Sequence, residues 1–119
     1  MPFVPSPIKP TVGISVLESV DVRVGTIRTA EEVPGSRKLA KLTVSFGDHR
    51  RNILSGMKGE RADPQEIVGR QALFVVNLEP RKMAGEVSEG MLFDLGSADG
   101  ILPALAVSER PVPDGTRAG

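Results

Sequence analysis

Apolar residues in this chain recur mostly at every second position, the period of a strand with one buried face. Val20, Val22 and Val24 alternate with polar residues, whereas Ile27 falls on the opposite parity. The slip at Gly25 predicts a β-bulge and a bend in that strand. The clearest alternation runs over 39–46, with Ala40, Leu42, Val44 and Phe46 on one face and Leu39, Lys41, Thr43 and Ser45 on the other. Gly47-Asp48 closes a hairpin into a third strand over 50–55, which Gly56 and Gly59 end. The continuous apolar run over 72–76, between Gly69 and Pro80, predicts a central strand, and 91–95 supplies a fifth. Residues 101–107 read as an edge strand broken by Pro103.

Helical signals are few. Ser15 and Glu18 have capping-box spacing and predict a short helix ahead of the first strand. Asp63 as a cap, Pro64 at the first helical position, Glu66 in the first turn and Gly69 as terminator predict one or two turns over 64–68. Pro2, Pro5, Pro7 and Pro10 make residues 1–13 a proline-rich arm, which leaves 14–119 as one domain with a C-terminal extension from about 97. Five main strands with a short helix between the third and fourth is the order of the five-stranded Greek-key barrel called the OB-fold. The expected fold class is therefore all-β.

Composition narrows the function. A length of 119 residues suits one small domain, and the lack of cysteine removes disulfides, Cys-type zinc sites and thiol chemistry. Aromatic residues are only 3% of the chain, which argues against a sheet that stacks several bases on its aromatics. No apolar run is long enough to span a bilayer, and the expected location is cytoplasmic. The formal charge is zero, yet residues 1–82 hold 13 Lys+Arg against 9 Asp+Glu, and 83–119 hold 2 against 6. Within 37–61, Arg37, Lys38, Lys41, Arg50, Arg51, Lys58 and Arg61 face only Asp48 and Glu60. Spacing alone fits either a solvated hairpin face or a phosphate-binding patch.

Catalytic ingredients are scarce. His49 is the sole histidine and sits in a predicted hairpin turn, so neither a histidine metal site nor a nucleophile–base pair can be assembled around it. The Walker-type loop, the dinucleotide-binding glycine pattern and the nucleophile elbow are all missing. Gly35-Ser36-Arg37-Lys38 is a turn that could offer backbone N–H groups and cations to an anion. The reading is a binding module with no cofactor, not an enzyme.

The segment Asn77-Leu78-Glu79-Pro80-Arg81-Lys82, followed by Gly85, Ser88 and Gly90-Met91-Leu92, resembles the signature of the tRNA-binding OB-fold domain family. That family includes the C-terminal appendage of methionyl-tRNA synthetases, stand-alone dimeric tRNA-binding proteins and the CsaA-like export chaperones. Val22-Arg23-Val24-Gly25-Thr26-Ile27, Lys38-Leu39, Ile53-Leu54-Ser55-Gly56 and 64–70 resemble its first three strands and its helix, so the likeness runs from about Ile14 to the chain's end. The resemblance implies tRNA binding by shape and backbone through Lys38, Ser55, Asn77, Arg81, Lys82, Ser88 and Met91. It also implies a homodimer, built from the amino-terminal helix and arm and from residues 97–119 with apolar Ile101, Leu102, Leu105 and Val107. The alternative it carries is a chaperone that holds unfolded or export-destined polypeptide in the same cleft. Glu89 stands where glutamine is common in the tRNA-binding branch and brings a negative charge near the expected phosphate path. The loop over 57–62 lacks the aromatic often found there.

Overall fold

A computed structural model describes residues 2–57 and 61–119; Lys58, counted above among the cations, lies outside them. A five-residue helix, α1 (Ile14–Glu18), leads into β1 (Val22–Glu32). The alternating segment forms β2 (Ala40–Ser45) and folds back through Gly47 onto β3 (Arg50–Ser55). A single 3-10 turn, Pro64–Ile67, precedes β4 (Gln71–Val75), and Asp63 caps it by accepting from the Gln65 N–H at 3.0 Å. The short strands β5 (Arg81–Met83), β6 (Glu86–Ser88), β7 (Met91–Leu92), β8 (Asp94–Leu95) and β9 (Ala104–Leu105) complete the chain order, with a second 3-10 turn at Ser97–Asp99. The main sheet has five strands in the order β3-β2-β1-β4-β7, all antiparallel. It curls until its two edges meet: the Glu89 N–H donates to the Asn52 carbonyl at 2.8 Å, just ahead of β7. The five-strand all-β reading and the turn between its third and fourth strands hold, and the fold is OB-like.

Over 40–46 the core is what the alternation predicts, whereas Val20 ahead of β1 is exposed and Val22 half-buried. Ile27, Leu42, Val44, Ile53, Met57, Ile67 and Phe74 are fully buried, with Ala40 and Phe46 beside them. Two local expectations need correction. The bulge in β1 lies at Arg28, not at Gly25: Ile27 pairs with Val44 and Thr29 with Thr43, while Gly25 stays in register with Ala72. Gly25 is instead a place of close approach, since a Cβ there would stand 2.6 Å from Val44 Cγ1 and 2.8 Å from the Phe46 ring. The capping box at Ser15 does not form, because α1 begins two residues sooner, with Gly13 at its cap and no side-chain cap bond.

The C-terminal stretch is knitted into the barrel. Leu95 pairs with Ala104, the partial edge strand expected after Pro103. Further on, the N–H groups of Gly115 and Ala118 donate to the carbonyls of Val24 and Val22, and the Val24 N–H donates to the Thr116 carbonyl. Gln71 holds Val112 through both ends of its amide, and the Thr26 hydroxyl donates to Asp114 at 2.6 Å. Arg23 and Arg117 both reach Asp21, and the hydrogen bond from Arg23, aided by Arg117, keeps that carboxyl below its ordinary pKa.

Candidate nucleic-acid interface

An OB-fold offers oligonucleotides the outer face of its second and third strands and the loops after its first and fourth. The loop from Val33 to Leu39 carries Arg37 and Lys38, both exposed. The segment from Val76 to Gly90 is not the plain rigid loop that its Pro80, Gly85 and Gly90 suggest. It contains a hairpin ribbon, with Arg81 paired to Ser88, Lys82 to Val87 and Met83 to Glu86. Its turn is Ala84-Gly85, at φ 50° and 81°, the left-handed pair that a tight two-residue hairpin needs. The strand pleat sends Arg81 to the face of Ser88 and Glu86, and Lys82 to the opposite face with the exposed Val87. Three polar-rich residues on either side of a turn are too few for periodicity to register, which is why the pattern hid this ribbon.

The remaining family-implied residues fall into two groups. Lys38 is exposed, Ser55 pairs with Ala40 at the end of β3, and Met91 is 45% exposed while pairing with Val75. Asn77 and Ser88 instead work inside the fold. The Asn77 amide accepts from the Asp21 N–H and donates to the Ser19 carbonyl, each at 2.7 Å, tying the end of β4 to the start of β1. Ser88 is buried; its hydroxyl accepts from the Leu54 N–H and donates to the Gly90 carbonyl, each at 3.0 Å. Ser88→Ala would orphan both groups at the barrel seam and is expected to cost about 1–3 kcal/mol in urea unfolding. A loss under about 0.5 kcal/mol would mean that water takes over the hydroxyl's role.

The cations sort in the same way. Lys41 lies between Glu31 and Glu86 at 3.9 Å from each, and Arg61 pairs with Glu66. Arg51 turns inward onto backbone carbonyls, opposite the buried Val44. Arg37, Lys38, Arg50, Arg81 and Lys82 are exposed and form no ion pair with another described residue, so their charges face solvent. Glu89 is also engaged, its carboxylate accepting from the Asn52 N–H at 3.0 Å, which directs that charge into the barrel seam. The turn at Gly35 offers less to an anion than expected, since the Ser36 N–H donates to Val33 and the Leu39 N–H to the Ser36 hydroxyl. His49 is part of a network with Asp48 and Arg51, and its ring stacks on Phe46 at 5.5 Å. Among the described residues no cluster of His, Asp and Glu could hold a metal ion.

Residues 22–117 match the family model described as "Putative tRNA binding domain". The chain belongs to the tRNA-binding domain family. A methionine–tRNA ligase from Methanocaldococcus jannaschii is 41% identical over 98 residues, which cover 82% of this chain but only 15% of that enzyme's length. A solved structure of a MetRS-related protein from Pyrococcus horikoshii superimposes with a TM-score of 0.85 at 31% identity, covering 93% of this domain and 100% of that chain. The chaperone CsaA from Bacillus anthracis superimposes with a TM-score of 0.78 at 25% identity, covering 92% and 100%.

Proposed function

We propose that this domain binds tRNA without catalysing a reaction, reading shape and backbone instead of base sequence. The observation that carries the reading is that Arg37, Lys38, Arg50, Arg81 and Lys82 are exposed and form no ion pair with another described residue, in a chain that belongs to a tRNA-binding family. Arg81 and Lys82 on the ribbon and Lys38 on the opposite loop neutralise phosphates, with Arg37 and Arg50 adding to the same field. Ser55 and Met91 contribute contact surface. Ser88 and Asn77 serve by holding the seam and the end of β4.

A homodimer would place two such faces together. Apolar side chains support it: Ile14 and Leu17 of α1, with Leu78, and in the C-terminal stretch Ile101, Leu102 and Val107, are all about half exposed or more. Leu105 packs against the core and contributes to the barrel instead. The second reading, a polypeptide-binding chaperone, is favoured by the fold shared with CsaA and by the exposed Val87 on the ribbon and Met91 in β7.

Titration with bulk deacylated tRNA at two salt concentrations separates the readings. The wild-type protein is expected to bind more weakly as salt rises, and Arg81→Ala with Lys82→Ala is expected to weaken binding by about tenfold or more. The double variant should also lower the slope of log K against log salt by roughly two phosphates' worth. Absence of binding at low salt would overturn the tRNA reading and make unfolded polypeptide the ligand to test.

A further inference from the structure

Arg51 stands among the cations in sequence, but its geometry gives it another task. The pleat of β3 places it on the face opposite Arg50, across from the buried Val44. One terminal nitrogen, Nη1, donates to the Val76 carbonyl at 2.5 Å and to the Glu89 carbonyl at 3.1 Å. Val76 is the first residue after β4, and Glu89 is the last before Gly90 and β7. The twelve residues between them, 77–88, form the excursion that carries the ribbon. A single guanidinium therefore ties together both ends of that excursion.

The guanidinium is itself oriented. Its Nε donates to His49 Nε2 at 3.1 Å, so the imidazole carries its proton on Nδ1, which donates to Asp48 at 2.6 Å. Phe46 stacks on the imidazole ring and holds its plane. A planar fork with several donors in fixed directions meets these three acceptors together; a lysine ammonium supplies the charge but not the fork.

We propose that Arg51 is a positioning residue for tRNA binding: it fixes the base of the 77–88 segment, and so sets where Arg81 and Lys82 meet the phosphate backbone, without touching RNA itself. This rests on the function proposed above.

The test uses Arg51→Lys, which keeps the charge and most of the aliphatic stem, alone and combined with Arg81→Ala and Lys82→Ala. Arg51→Lys is expected to weaken tRNA binding by about tenfold, and by no more than about twofold when Arg81 and Lys82 are already alanine, because coupled sites do not add. Amide hydrogen exchange over 81–88 in the RNA-free variant should quicken while that of β1 and β4 stays as in the wild type. Wild-type affinity in Arg51→Lys, or a loss that adds fully to that of the ribbon variant, would overturn the proposal in favour of an uninvolved or directly contacting charge. Exchange that quickens equally throughout the barrel, or not at all in the ribbon, would overturn it as well. The exchange arm needs no RNA: wild-type protein that binds no tRNA would refute the function proposed above, and exchange would still decide whether Arg51 positions the ribbon.

Discussion

Replacing Phe74 by alanine is expected to lower the unfolding free energy by about 3–5 kcal/mol, the cost of removing a large aromatic side chain from a close-packed core. Phe74 is fully buried and sits in β4, between Arg23 of β1 and Leu92 of β7, so it lies in the strand that joins β7 to the rest of the sheet. Its ring meets that of Phe46 edge-on, with centroids 5.6 Å apart and planes at 85°, an arrangement that adds about 0.5–1.5 kcal/mol beyond area burial. Domains of this size are typically stable by about 5–15 kcal/mol, so the loss is a large share of the total. Equilibrium urea unfolding measures it as a fall in midpoint at nearly constant slope. A loss under about 1 kcal/mol would mean that the barrel collapses around the missing ring and that Phe74 does not anchor the core.

Gly115→Ala is expected to cost about 2–5 kcal/mol, from two sources that one control separates. Gly115 has φ +89°, a conformation in which an L side chain costs about 1–2 kcal/mol. A Cβ there would also stand 2.4 Å from the Phe46 carbonyl oxygen, and overlap with backbone in a packed site costs about 1–3 kcal/mol. Gly35 has a similar φ of +80° but nothing within 4 Å of the position a Cβ would take, so Gly35→Ala should carry only the conformational cost, about 1–2 kcal/mol. The difference between the two variants isolates the overlap. Exchange of the Val24 amide, which donates to Thr116, should quicken in Gly115→Ala as residues 112–118 lift from β1. Equal stability of the two variants, with Val24 still protected, would show that the C-terminal stretch contributes no stability through this contact.

The pattern of the chain made the barrel legible where one face of a strand is buried. Ala40, Leu42, Val44 and Phe46 are spaced by two because every second side chain points to the core, and they are buried as that spacing requires. The turn over 64–67 was legible because Asp63 and Pro64 act through local backbone chemistry. The motif around Arg81 and Lys82 marked the segment that forms the ribbon. Its internal division was not legible, because Ser88 and Asn77 are polar residues whose partners, Leu54, Gly90, Ser19 and Asp21, lie largely in other strands and turns. A polar residue reads the same in sequence whether its hydrogen bonds go to RNA or to the protein's own backbone.

The sequence by itself determined the all-β fold class, the strand order's raw material, the buried alternation and the family, since each rests on local propensity or on ordered motifs within one stretch of chain. Tertiary structure alone decided that Arg51 points inward while Arg50 points out, that residues 112–118 close on β1, and that Glu89 is held at the seam. Charge and polarity are properties of a residue, but which neighbour satisfies them depends on contacts between segments distant in the chain, and those exist only after the sheet has curled shut.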